Sequence, residues 1–192
     1  MASPEVLPLL RNSVPSAIIA GGWCRDGFNG DHAKDIDVFI ASAEYDAALN
    51  LLLQAEGVPW AISEHTPGEG ASVSAGEDVM RVHSVEQPDT PWPVQLIEVP
   101  DPIAWVHSFD AHCNMIYLPL AGPAEYVACS PLAVEHATHR IFELNPLARE
   151  SFETLKQRAE KFRARGYTVR MPEQSPGLDA LDLLDALGRI DP

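Results

Sequence analysis

Residues 17–40 read AIIAGGWCRDGFNGDHAKDIDVFI, and this stretch constrains the fold more than any other part of the chain. An apolar run at residues 17–20 stops at Gly21-Gly22, and a polar, glycine-containing loop follows Arg25-Asp26. Asp35-Ile36-Asp37 then open a second apolar run, Val38-Phe39-Ile40. Side chains on a strand alternate faces, so Asp35 and Asp37 must point the same way. Two carboxylates on one face at the start of an apolar strand are costly to bury unless a positive group lies between them. Mg²⁺, which takes carboxylate oxygens together with substrate phosphates, suits that position, as does Mn²⁺. The paired glycines leave backbone N–H groups open to a phosphate with no Cβ in the way. Asp-x-Asp alone, or Gly-Gly alone, is a common turn element. The ordered set of strand, glycine pair, Arg-Asp, loop and Asp-Ile-Asp strand is far more specific, and reads as a place where metal and a nucleoside triphosphate meet.

The segments GGWCRD and KDIDVFI resemble the head-domain signature of the polymerase-β-like nucleotidyltransferase superfamily. The branch they are most similar to is that of tRNA nucleotidyltransferase and bacterial poly(A) polymerase, with its GGxVRD…DIDL pattern, in a minimal, phage-type form. Downstream, Asp110-Ala-His-Cys-Asn114-Met-Ile is similar to the DFTINAL segment of that branch, with Asp and Asn at the same spacing. The resemblance covers roughly residues 15–120. It implies an α+β fold, a mixed and mainly antiparallel sheet flanked by helices, with a short C-terminal helical extension. It also implies transfer of a nucleotide from an NTP to a hydroxyl, with Mg²⁺ or Mn²⁺ held by Asp35 and Asp37. Glu98, in the apolar–acid–apolar triplet Ile97-Glu98-Val99, is expected as a supporting third carboxylate, or else as a surface residue on a sheet edge. Gly21, Gly22, Arg25, Asp26, Lys34, Asp110 and Asn114 are the nucleotide-binding candidates.

The rest of the chain is expected to frame this core. Residues 1–16 read as a short helix or arm, and Ser42 as the cap of a helix with an apolar stripe at Tyr45, Leu49, Leu52 and Leu53, ending at Gly57. Residues 60–63 and 79–85 look like a hairpin, residues 93–99 like a strand, and residues 103–108 like a short helix after Asp101-Pro102. Asp110 is expected to start a helix. Residues 115–120 and 125–129 read as a second hairpin. Residues 131–165 read as helical in two pieces, 133–144 and 147–165, and 167–176 as a linker or edge strand. Leucine-rich residues 178–190 read as a terminal helix or partner-binding peptide. The expected organisation is a nucleotidyltransferase core at 1–130, a helical extension at 131–170 and a tail at 171–192. Glu77-Asp-Val-Met-Arg81 has the form of the family's base-selecting EDxxR motif but precedes the Asp110 segment instead of following it, and is taken as coincidence.

Charge bears on partners. Thirteen basic against 28 acidic residues give a net charge of −15, whereas a protein that grips long nucleic acid through many phosphates carries a basic surface. No extended DNA surface is expected, and the acceptor is expected to be an RNA 3′ end, a protein or a small molecule. The basic residues concentrate at Arg140, Arg149, Arg158, Lys161 and Arg165, either a solvated face balanced by glutamates or a set that contacts triphosphate; Arg140 is counted among the nucleotide-binding candidates. Scattered Cys24, Cys113 and Cys129 fit reduced thiols, and His136-x-x-His139 lacks metalloprotease spacing. With no apolar run of membrane-spanning length and no signal-like N-terminus, a cytoplasmic protein without a membrane partner is expected. The competing expectation is a nucleotide-binding or regulatory module that keeps the fold without transfer chemistry.

Overall fold

In the computed structural model, the structure describes residues 5–55, 60–65, 79–88, 90 and 92–171. Nine strands and six α-helices lie among them. A seven-stranded sheet carries the core in the order β3-β4-β5-β2-β1-β6-β7. Its strands are β1 (Ile18–Ala20), β2 (Ile36–Ala41), β3 (Ala61–His65), β4 (Val82–Glu86), β5 (Val94–Val99), β6 (Ile116–Pro119) and β7 (Val127–Ala128). Every neighbouring pair is antiparallel except β2 with β5. The fold is α+β, and both expected hairpins, β3–β4 and β6–β7, are present.

The central strands are apolar on both sides. Val38, Phe39, Ile40, Leu96, Ile97 and Val99 are all buried, as strands covered on two faces require. One face carries α1 (Val6–Ser13) and α3 (Ser42–Gln54). Tyr45 of α3 donates from its hydroxyl to the Leu96 carbonyl at 3.0 Å and meets His83 Nδ1 at 2.9 Å. Ser42 does not cap α3. Ala41 holds the cap position, and the Ser42 hydroxyl donates to the Val99 carbonyl instead.

The opposite face carries Asp37 and Phe39, and Phe39 packs on Phe109 with ring centroids 5.7 Å apart. Around it lie α2 (Gly22–Asn29), α4 (Pro102–His107), a 3₁₀ turn (His112–Asn114), α5 (Ala133–Thr138) and α6 (Phe152–Ala164). The Asp101 carboxylate caps α4 by accepting from the Ile103 and Ala104 amides.

Three expectations of local structure are corrected. The glycine pair does not lead into a loop: only Gly21 lies outside a helix, and Gly22, Arg25 and Asp26 belong to α2, which stops at Gly30 in the left-handed region (φ 67°). Residues 139–150 are not helical. Arg140 takes φ 53°, and β8 (Ile141–Glu143) pairs in parallel with β9 (Thr168–Arg170). Ile141 and Phe142 suit a strand, and their partner lies some 27 residues further on, out of reach of local pattern. α6 accordingly begins only at Phe152, capped by Ser151, which accepts from the Thr154 amide. Asp110 starts no helix; the 3₁₀ turn begins two residues later. Residues 178–190, Gly57, and Glu77 and Asp78 of the EDxxR form lie outside the described residues. Among those described, no helix is long and apolar enough to cross a membrane.

Candidate functional site

The site is built on the start of β2. Asp35 lies just before it and Asp37 is its second residue, on one face as their spacing demands. The Asp37 Oδ1 atom is buried with no hydrogen-bond partner. Burial first, and then the neighbouring charge of Asp35, push the Asp37 carboxyl up to about 7. Such a carboxylate is short of positive charge, which is what a divalent cation brings; the donor set, two carboxylates on one strand face, fits Mg²⁺ or Mn²⁺.

Gly21 joins β1 to α2 with φ 76°, the left-handed region where glycine alone is unstrained. A Cβ added there would lie 3.9 Å from Asp37 Oδ2 and 3.7 Å from the Phe109 ring. The turn is therefore laid against Asp37. It also starts α2, at Gly22, next to Asp37, and a helix N-terminus presents amide hydrogens and partial positive charge. Lys34 is exposed beside the pair.

Glu98 does not join this pair. In the parallel β2–β5 register Asp37 is level with Gln95 and Ile40 with Glu98. Glu98 is three residues beyond Gln95 and so on the other face. There it is buried and accepts from Arg81 Nε at 2.5 Å, and Arg81 also pairs with Asp46 of α3 at 2.8 Å. The triplet lies on the strand that neighbours β2, but the register puts Glu98 on the face opposite Asp37. The residue that shares a face with Asp37 is Gln95, whose Oε1 is likewise buried without a partner. An amide carries no carboxylate signature, so the sequence search passed over it.

Arg25, Asp26, Asp110 and Asn114 do come together, as one buried chain of contacts. Arg25 Nε donates to Asp26 Oδ1 at 2.7 Å and Nη1 to Asn114 Oδ1 at 2.7 Å. Asn114 Nδ2 donates to Asp110 Oδ1 at 2.6 Å. Two arginines of the C-terminal part close the ends. Arg158 of α6 pairs with Asp110 at 2.9 Å and with Glu150 at 3.2 Å, and Arg165 pairs with Asp26 at 2.9 Å. The Arg25 guanidinium lies 4.8 Å from the Phe162 ring centroid. Its pKa is raised: burial acts to lower it, and the hydrogen bond and charge of Asp26 prevail. Arg140 is turned to Asp31 at 2.9 Å. Much of the basic concentration is thus engaged by internal carboxylates. Cys24 is packed, its thiol donating to the Ile19 carbonyl at 3.3 Å and pushed well above the usual thiol range by burial. His136 is buried against His112.

No family model and no curated protein matches the sequence. Solved structures do match in fold. The Thermotoga maritima CCA-adding enzyme complexed with tRNA is 14% identical, with a TM-score of 0.62 over 96% of this chain and 42% of that one. A CCA-adding enzyme in complex with CTP is 15% identical, with a TM-score of 0.63 over 88% of this chain and 41% of that one. A tRNA nucleotidyltransferase complexed with a primer tRNA and an incoming ATP analogue is 14% identical, with a TM-score of 0.60 over 96% and 51%. The chain spans about two fifths to one half of the length of these structures. Its fold is of the polymerase-β-like nucleotidyltransferase type.

Proposed function

We propose that the protein is a metal-dependent nucleotidyltransferase that moves a nucleoside monophosphate from an NTP to a hydroxyl acceptor and releases pyrophosphate. The observation that carries this reading is the juxtaposition at the start of β2. Two carboxylates share a face, one of them holds a buried oxygen without a partner, and a glycine turn and helix N-terminus lie against that one.

Asp35 and Asp37 would hold Mg²⁺ or Mn²⁺. Bound there, divalent cations lower the pKa of an attacking hydroxyl and neutralise the charge gathered on the triphosphate. The chain's own parts have separate tasks. The turn at Gly21 lets the triphosphate approach the backbone, and the first-turn amides of α2 receive its oxygens. Lys34, exposed beside the pair, adds positive charge on the solvent side. The acceptor hydroxyl attacks the α-phosphorus, the bond to pyrophosphate breaks, and the hydroxyl proton passes to solvent. Arg25, Asp26, Asp110 and Asn114 act through the helix they anchor: they fix α2 and the 3₁₀ turn beside the carboxylates. Asp37 must lose its proton to serve, so at limiting metal the activity should fall as pH drops below about 7.

The acceptor is an RNA 3′ end, a protein or a small molecule. The net charge of −15 and the internal pairing of Arg140, Arg158 and Arg165 weigh against a long RNA held by many phosphates. The test is incubation with each α-³²P-labelled NTP, Mg²⁺ or Mn²⁺, total RNA and cell lysate. Label should enter one product class and be reduced at least ~10³-fold in Asp35→Ala/Asp37→Ala. Nucleotide-dependent thermal stabilisation with no labelled product under any condition would instead favour a binding or regulatory module.

A further inference from the structure

Asp37 and Gln95 are Cα partners on adjacent parallel strands, so their side chains leave the sheet on one face. Asp37 Oδ1 and Gln95 Oε1 are both buried and both without a hydrogen-bond donor. Orphaned acceptors are rare because each costs ~1–3 kcal/mol of unrecovered desolvation. Among the described residues only four side-chain atoms are in this condition, and two of them are neighbours in this register. The partner strands supply no donor: Ser84, level with Gln95 on β4, is buried but makes no bond to it, and Ala20 follows the β1 register opposite Asp37. A cation between the two strands is drawn to both oxygens at once. Amide carbonyls are ordinary oxygen ligands of hard divalent ions.

We propose that Gln95 is a third, uncharged member of the oxygen set that holds the divalent cation beside Asp35 and Asp37. This rests on the metal reading given above and specifies it. A neutral third donor leaves the site with two formal negative charges instead of three. Affinity for the free ion is therefore modest, and a triphosphate meets less repulsion when it arrives. The protein should take its cation chiefly together with the nucleotide.

The experiment is titration of the purified full chain with Mn²⁺, followed by electron paramagnetic resonance of the free ion, with and without a non-hydrolysable NTP analogue. Wild type, Gln95→Leu, Gln95→Glu and Asp37→Asn are compared. Gln95→Leu should weaken Mn²⁺ binding about tenfold, and Gln95→Glu should tighten binding of the free ion by a similar factor while reducing the gain from the analogue. Without metal, Gln95→Leu should melt about 2–4 °C higher, since an orphaned oxygen is gone. That melting curve also shows that the variant is folded. Wild-type Mn²⁺ affinity in Gln95→Leu, with binding lost in Asp37→Asn, overturns the role of Gln95 and leaves the carboxylate site standing. A hydration role alone would give this same pattern. Failure of the wild type to bind Mn²⁺, with or without the analogue, overturns both.

Discussion

Asp37 sits at its position at a cost that can be measured without any substrate. Its carboxyl is raised to about 7 by burial and by Asp35, so the folded state binds a proton there that the unfolded chain, near 3.8, has already released. Between those values the folded state holds more protons, and stability falls as pH rises through the window. Above about pH 7 the penalty is complete. Asp37→Asn removes it, so metal-free Asp37→Asn should melt at a higher temperature than wild type at pH 8 and at nearly the same temperature at pH 4. Thermal melts across pH 4 to 8 in a chelating buffer check this. Mn²⁺ should erase the difference in wild type only. Equal melting at pH 8 would mean that the Asp37 charge is already compensated. At the same scale, Gly21→Ala places a side chain at φ 76° within 4 Å of both Asp37 and Phe109. A loss of ~1 kcal/mol by denaturant titration is expected, as for other non-glycine residues forced into the left-handed region.

The element most dependent on charge is α2. Its inner face carries Arg25 and Asp26, both nearly fully buried, and it is fastened to α6 by Arg165 and, through Asn114 and Asp110, by Arg158. Breaking a buried pair from one side leaves the other charge stranded, at about 3–5 kcal/mol. Arg25→Ala should therefore be destabilised by roughly that amount in urea, whereas Arg165→Ala, whose side chain is partly exposed, should cost about 1 kcal/mol or less. Similar losses for the two would show that Arg25 is not the hub of the chain. The elements also show what the sequence could and could not reveal. The Asp-x-Asp strand, the short helix after Asp101-Pro102 and both hairpins were legible because their signals are local: alternation, a proline at a helix start, a turn. The polar loop expected after Asp26 begins only at Gly30, because Gly22–Asn29 form a helix whose buried polar residues depend on Asn114, Phe162 and Arg165, far along the chain. Glu98 was misassigned for a related reason. Alternation fixes which residues of one strand share a face, but only the register between strands fixes which of them faces Asp37.

For the whole molecule, 28 acidic residues against 13 basic ones make self-repulsion a general tax on the compact state. Salt screens it, with a Debye length near 10 Å at 0.1 M. Raising NaCl from about 0.05 to 0.5 M should thus raise the melting temperature of the metal-free protein by a few degrees. Unchanged or lower melting would show that the internal ion pairs outweigh the surface repulsion. The resemblance seen in GGWCRD and DIDVFI reached the correct fold from short motifs alone, and solved structures at 14–15% identity agree with it.

The single parallel pairing of the sheet has a consequence for how the molecule assembles. β2 and β5 lie side by side, yet about 60 residues of chain, including the β3–β4 hairpin, separate Asp37 from Gln95. Local contacts such as the hairpin can close in microseconds, but a junction that must first restrain so long a loop forms late and slowly. Asp37 and Gln95 are therefore expected to meet late in folding. In a newly made chain the hairpins are expected to form before the face that Asp37 and Gln95 share.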